Sequence, residues 1–197
     1  MTGIVLAGGR SARLGTDKAL LRVGDGTLLE RAVSALRPLC RKIIVVSDPR
    51  SPVPDVEGCT MATDEEPGLG PLGGLATGLA LSGDDWHLAL ACDLPLVRPE
   101  LLELLVAESS GVEAVVPRAE GRLQPLLATY SHACLAPARA ALASGKRALA
   151  AMLDQVKVKV LEEDRLREAD PGLVSFTNVN AWEDYQAVLR MEEADAR

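Results

Sequence analysis

Short apolar runs rich in β-branched residues recur along this chain, and between them lie longer stretches whose apolar positions return every three or four residues. The first kind of pattern reads as strand and the second as amphipathic helix. GIVLA (3–7), KIIVVS (42–47), WHLALAC (86–92), EAVVP (113–117) and PLLATY (125–130) predict strands, with a shorter one near 59–63. VKVKVL (156–161) alternates apolar and charged positions, which predicts a half-exposed strand near a sheet edge. Thr27 is placed to cap a helix to residue 36 that carries Leu28, Leu29, Ala32, Val33 and Leu36 on one side. Further helices are predicted over 73–81, from Pro99 to about 108, across the alanine-rich stretch 133–153, and from about 181 onward. Residues 48–58, with three prolines, read as loop.

Strand and helix alternating from end to end predicts a three-layer α/β fold, a mostly parallel sheet with helices on both faces. The 125–130 and 156–161 strands are the ones expected to break strict parallel order. No repeat or linker divides the chain, so residues 1–197 are expected to form a single domain. In sheets of this kind, ligands bind beyond the carboxyl ends of the strands.

Composition narrows the choice of chemistry. Aromatics are 3% of the chain, so the core must rest on aliphatic residues. No apolar run approaches the roughly 20 residues of a membrane helix, and the N-terminus has no signal-peptide pattern; a cytoplasmic protein is expected. Cys40, Cys59, Cys92 and Cys134 are scattered without CxxC spacing or a neighbouring histidine, which predicts buried thiols rather than a zinc site or disulfide framework. The net charge of −7 argues against a nucleic-acid partner. Its distribution is uneven. Arg10, Arg13, Lys18 and Arg22 face one acid, Asp17, within residues 1–22, a local +3, while the other 17 bases and 27 acids carry −10. A compact anionic ligand near the N-terminus is the partner this suggests.

Four segments carry candidate chemistry, each at the end of a predicted strand or beside one. In LAGGRSARLGTDK (6–18), Gly8 and Gly9 free backbone N–H groups to approach phosphate oxygens, and Arg13 and Lys18 supply positive charge. The string matches neither GxGxxG nor GxxxxGK[ST]. In ACDLPL (91–96), Asp93 either holds a magnesium ion, which takes oxygen ligands, or caps a turn. TDEEPGLGPLGGL (63–75) is either a loop whose backbone meets a nucleotide or a surface connector. In FTNVNAWEDY (176–185), Asn178 and Asn180 share a side if the segment is extended, although Asn180 is also placed to cap the last helix.

Taken in order, these strings resemble the sugar-nucleotide-type nucleotidyltransferases with their L-A-G-G-x-x-x-R-x-G-x-D-K loop, and most of all the molybdenum cofactor guanylyltransferase family. GPLGG (70–74), the aspartate motif at Asp93, PLLATY and FTNVN extend the resemblance from about Gly3 to Tyr185. Ala181-Trp182 stands where that family has Thr-Pro, and Ser47 where it often has asparagine. The resemblance implies a Rossmann-like nucleotidyltransferase fold and a magnesium-dependent enzyme that joins GMP from GTP to the phosphate of molybdopterin, releasing pyrophosphate. It implies Arg13, Lys18 and Asp93 as catalytic residues, with Asp93 the Mg²⁺ ligand. Leu6, Ala7, Gly8, Gly9, Ser47 and Asp64 join Lys18 and Asp93 in binding nucleotide, and Asn178 and Asn180 hold the pterin.

The N-terminal half would then bind nucleotide and the C-terminal half molybdopterin. Other cofactor-biosynthesis proteins and apo-molybdoenzymes are the implied protein partners of a monomer. Two other readings stand beside this one: a cytidylyltransferase acting on the same pterin, which would typically read A-A-G where this chain has Ala7-Gly8-Gly9, and a non-catalytic nucleotide-binding protein of the same fold.

Overall fold

A computed structural model describes residues 1–7, 17–64 and 67–195. Its centre is β1 (Thr2–Leu6), every residue of which is buried. Parallel neighbours flank it on both sides: β4 (Lys42–Ser47) and β6 (Trp86–Ala91). Between β1 and β4 in the chain lie a 3₁₀ turn (Lys18–Leu20), a small hairpin of β2 (Arg22–Val23) and β3 (Gly26–Thr27), and α1 (Leu28–Leu36). Beyond β4 lies β5 (Thr60–Thr63), also parallel. On the far side of β6 come β9 (Leu127–Ser131), β7 (Ala114–Ala119) and, at the edge, β10 (Val158–Leu161); the sheet order is β10-β7-β9-β6-β1-β4-β5. A two-residue β8 (Arg122–Leu123) folds back on β7. Of the two strands expected to depart from parallel order, only β9 does, pairing antiparallel with both β6 and β7. The 156–161 strand runs parallel to β7, at the predicted edge.

Alternate side chains leave a strand on opposite faces, so each apolar run feeds two cores. Val5, Val45, Leu88, Leu90 and Val115 point to one face, where α1 and α3 (Pro99–Ala107) cover them with Leu29, Val33, Leu36, Leu101 and Leu105. Ile4, Leu6, Ile44, Val46 and Ala89 point to the other, under α2 (Gly70–Leu81), α4 (Leu135–Ala143) and the short α5 (Ala150–Leu153). The result is the three-layer arrangement that alternation predicts. Thr27 caps α1 as expected: its hydroxyl accepts from the Glu30 amide at 3.2 Å, and Glu30 returns the bond to the Thr27 amide at 2.7 Å. A capping box of this kind contributes about 1 kcal/mol.

Sequence periodicity misplaces three features. The helical stretch expected over 133–153 is broken after Ala143, where Gly145 takes φ +75° and ends α4. α2 starts at Gly70 rather than 73, and α6 (Glu163–Ala169) has no counterpart among the predicted helices. α7 (Trp182–Asp195) closes the chain, and among the described residues no helix is long and apolar enough to cross a membrane.

The approach of α2 to the sheet depends on missing side chains. A Cβ on Gly78 would lie 2.7 Å from Ile4 Cγ2, and one on Gly74 would lie 2.8 Å from Leu6 Cδ2. Ile4 is fully buried and has nowhere to retreat. Overpacking of this kind costs about 1–3 kcal/mol. Gly78→Val is therefore expected to lower stability by about 2 kcal/mol, read as a reduced urea midpoint, whereas Gly83→Ala, which meets nothing within 4 Å, should change it by less than about 0.5 kcal/mol.

Candidate active site

The parallel register sets Leu6, Val46 and Ala91 side by side, so β1, β4 and β6 end at one level. The chain continues past that level in three short steps. Ala7 donates its amide to Val46 O at 2.9 Å, Cys92 donates to Leu6 O at 3.1 Å, and Asp64 donates to Ser47 O at 3.0 Å. Leu6, Ser47, Asp64 and Asp93 thereby line one cavity of about 400 Å³, together with Lys18 and the start of α2 at Gly70, Pro71 and Gly74. That volume suits a small-molecule ligand. A larger open groove of about 970 Å³ runs along α1 past Arg31, Arg37 and Asp55, but holds none of the candidate catalytic or binding residues.

At one end of the cavity, Lys18 Nζ lies 2.7 Å from Asp93 Oδ2 and 3.1 Å from Asn180 Oδ1. Three segments far apart in the chain thus meet at one ammonium. The Asp17 carboxylate caps the 3₁₀ turn that carries Lys18, accepting from the Ala19 amide at 3.1 Å. Asp93 is held through its backbone carbonyl, which accepts from Val179 N at 2.9 Å. Its side chain is 17% exposed, and Oδ1 is buried with no hydrogen-bond partner among the described residues. Neither oxygen accepts from a turn or helix amide among the described residues. A buried carboxylate oxygen with no partner, beside one that binds Lys18, is the donor a hard divalent cation takes. No group of three or more His, Cys, Asp or Glu among the described residues is arranged around a metal position, so substrate and water oxygens would have to complete the shell.

The asparagine segment is fixed from behind. Val179 is fully buried in a small cluster with Val23, Leu28 and Val188, while Asn178 and Asn180 on either side of it are exposed. This is the shared side that an extended segment predicts. At the start of the last helix, Asp184 Oδ2 accepts from both the Asn180 and Ala181 amides at 2.9 Å. α7 is tied down by a two-pronged Arg31–Glu192 pair at 2.7 and 3.0 Å and by Tyr185 Oη donating to Arg22 O.

At the other end, Asp64 is 8% exposed and accepts from Thr77 Oγ1 at 3.2 Å. Burial pushes its carboxyl up to about 6. Ser47 is buried beside it. The α2 N-terminus opens on this cavity with no side-chain cap at Leu69, leaving its first amides for an anion. Cys92, next to Asp93, is no nucleophile: burial pushes its thiol up to about 12. Gly8, Gly9 and Arg13 lie outside the described residues. Sequence reading missed the neighbours that brace the loop after Asp64. Asp48 accepts from the Gly68 amide at 3.0 Å, and Arg147 donates to Gly68 O at 2.5 Å.

A family model for the MobA-like NTP transferase domain matches residues 3–160. The chain belongs to the MobA-like NTP transferase family. Relatives carry the match past that segment to the asparagines. A protein of Chloroflexus aggregans named probable molybdenum cofactor guanylyltransferase is 39% identical, covering 95% of this chain and 93% of its own. One of Desulfosudis oleivorans, named molybdenum cofactor guanylyltransferase, is 32% identical over 94% and 93%. Among solved structures, molybdopterin-guanine dinucleotide biosynthesis protein A of Archaeoglobus fulgidus superposes with a TM-score of 0.82 at 26% identity, over 97% of this chain and 98% of that one. The 2-C-methyl-D-erythritol 4-phosphate cytidylyltransferase of Thermus thermophilus, at 17% identity, shares the fold with a TM-score of 0.73 over 96% and 98%. MobA-like membership makes this chain a nucleotidyltransferase, and the resemblance read from its motifs holds along nearly its whole length.

The Asp64 environment has a consequence for stability. An unfolded aspartate titrates near 3.9; the folded one near 6 holds its proton over the window between. Folded protein binds more protons there, so this group's contribution to stability falls as pH rises from about 4 to about 6. Asp64→Asn removes that dependence. Urea unfolding of both proteins across this range should show the variant gaining on the wild type as pH rises; parallel curves would refute the assignment.

Proposed function

We propose that this protein transfers GMP from GTP to the phosphate of molybdopterin, forming the guanine dinucleotide cofactor and pyrophosphate. The observation that supports it is the Lys18 ammonium set between the Asp93 carboxylate and the Asn180 amide. It joins a nucleotide-binding end to a neutral polar surface suited to a second substrate. The names of the relatives point to guanylyl transfer rather than to the cytidylyl alternative. On this reading residues 1–197 are one domain, with nucleotide contacts drawn from the N-terminal half and pterin contacts from Asn178 and Asn180.

Nucleotidyl transfer asks for alignment and charge stabilisation rather than a protein nucleophile. An oxygen of the acceptor phosphate forms a bond to the α-phosphorus of GTP, and the bond from that phosphorus to the bridging oxygen of the β-phosphate breaks. Pyrophosphate carries the electron pair away. Asp93 Oδ1 would hold Mg²⁺, which when bound supplies Lewis-acid polarisation of phosphate oxygens. Lys18, rigid on its capped turn, neutralises charge on the phosphates, and Arg13 joins it on the resemblance. The backbone after Leu6 receives the nucleoside, and the amides at the α2 N-terminus meet another part of the nucleotide. Asn178 and Asn180 orient the acceptor without adding charge of their own.

Incubation with Mg²⁺, molybdopterin and each of the four NTPs should release pyrophosphate with GTP alone; release with CTP instead would favour the cytidylyl alternative. Asp93→Asn should fold normally and lower that release by about 10²–10³-fold, the scale at which a single transition-state electrostatic contact acts. Full turnover by this variant would remove Asp93 from the chemistry.

A further inference from the structure

The sheet order gives the cavity a direction. Asp93 follows β6 and Asp64 follows β5, with β1 and β4 between them. At about 4.8 Å per strand the two ends stand about 14 Å apart. That span separates the phosphates of a nucleotide from its base. With phosphates at Lys18 and Asp93, the base falls over the ends of β4 and β5.

Two charged groups wait there. One is the buried Asp64 carboxylate, an acceptor. The other is Arg50, three residues past β4, which also lines the cavity. Its guanidinium is aimed rather than loose. Nε and Nη2 donate to Asp48 Oδ1 and Oδ2 at 2.9 and 2.8 Å, and the Arg50 amide donates to Asp48 Oδ1 at 2.8 Å. The Asp48 carboxylate is held well below the usual range by the Arg50 side chain, so the fork stays charged on both sides at neutral pH. Gly68 (φ +78°) passes directly over the guanidinium, where a Cβ would sit 3.1 Å from Nη2. Asp48 also takes the Gly68 amide, and Arg147 takes its carbonyl. The Arg50 side chain remains 62% exposed, and Nη1 has no acceptor among the described residues.

A guanidinium that faces two adjacent acceptors discriminates between the purines. Guanine offers N1–H and a 2-amino group as donors next to O6 and N7 as acceptors, whereas adenine places an amino group where guanine has O6. We propose that Arg50 is a specificity-determining residue, its guanidinium donating to the O6/N7 edge of guanine beside Asp64. Asp48 is then a positioning residue that holds the fork, and Gly68 provides the clearance. The assignment rests on the guanylyl-transfer reading above.

Titration calorimetry of the full chain with Mg²⁺ and GTP or ATP tests it. Arg50→Ala should weaken GTP binding by about tenfold or more and ATP binding by less than about threefold, collapsing the preference between them. Arg50→Lys keeps the charge but loses the fork, and should fall towards the alanine variant. Arg147→Ala, which frees the Gly68 carbonyl without touching the base, should leave the GTP/ATP ratio at its wild-type value. Equal weakening of both nucleotides by Arg50→Ala would mean that Arg50 merely braces the loop, and would overturn the assignment. A wild-type preference that survives Arg50→Ala would overturn it as well, leaving the guanylyl reading intact. A wild-type protein with no preference for GTP over ATP would overturn both.

Discussion

The level ending of β1, β4 and β6 is the constraint from which the rest of the cleft follows. Parallel pairing with Leu6, Val46 and Ala91 in register means that the next residue of each strand emerges at the same height. Each exit then satisfies a neighbouring strand, Ala7 on Val46, Cys92 on Leu6 and Asp64 on Ser47. Backbone bonds at these exits fix the Cα positions of the functional side chains before any side-chain contact forms. A one-residue slip of β6 would carry Asp93 to the other face of the sheet, away from Lys18. The placement of the candidate site residues is therefore borrowed from the sheet.

Much of this was legible in the chain. Alternation within the apolar runs announces two covered faces, and Thr27 with Glu30 announces where α1 begins, because both signals are local. The residues of the cavity were legible for a different reason: Lys18, Ser47, Asp64 and Asp93 each follow a strand or loop whose end the pattern marks. What stayed hidden is long-range or contrary to propensity. The alanine-rich stretch reads as one helix because Ala143, Ser144 and Gly145 differ from their neighbours by a single stop residue. The short α6 has too little periodic pattern to stand out. Arg50 sits in a proline-rich loop with no motif around it, and its meaning comes from Gly68 and from Arg147, 79 residues beyond Gly68 in the chain. The cap that Asp184 supplies to the Asn180 amide, four residues back, likewise has no local signal at Asn180.

Small residues and charge divide the labour in this cleft. Gly74 and Gly78 let α2 lie on β1 more closely than any side chain would allow, which brings its N-terminus to the strand ends. The charged groups are then few and each is braced: Lys18 by the Asp17 turn, Asp93 by Val179, Arg50 by Asp48. With aromatics at 3% of the chain, stacking contributes little to the core, and close backbone approach takes its place.

The Asp184 cap bears on one of the places where the chain departs from its family's pattern, Ala181-Trp182. A proline near the start of a helix acts by narrowing the unfolded ensemble, since its ring fixes φ before folding begins. A carboxylate that gathers the Asn180 and Ala181 amides acts in the folded state only. Exchanging the first device for the second moves the stabilisation of this turn from chain stiffness to a pair of native hydrogen bonds. Trp182 is then free to occupy the ring's place.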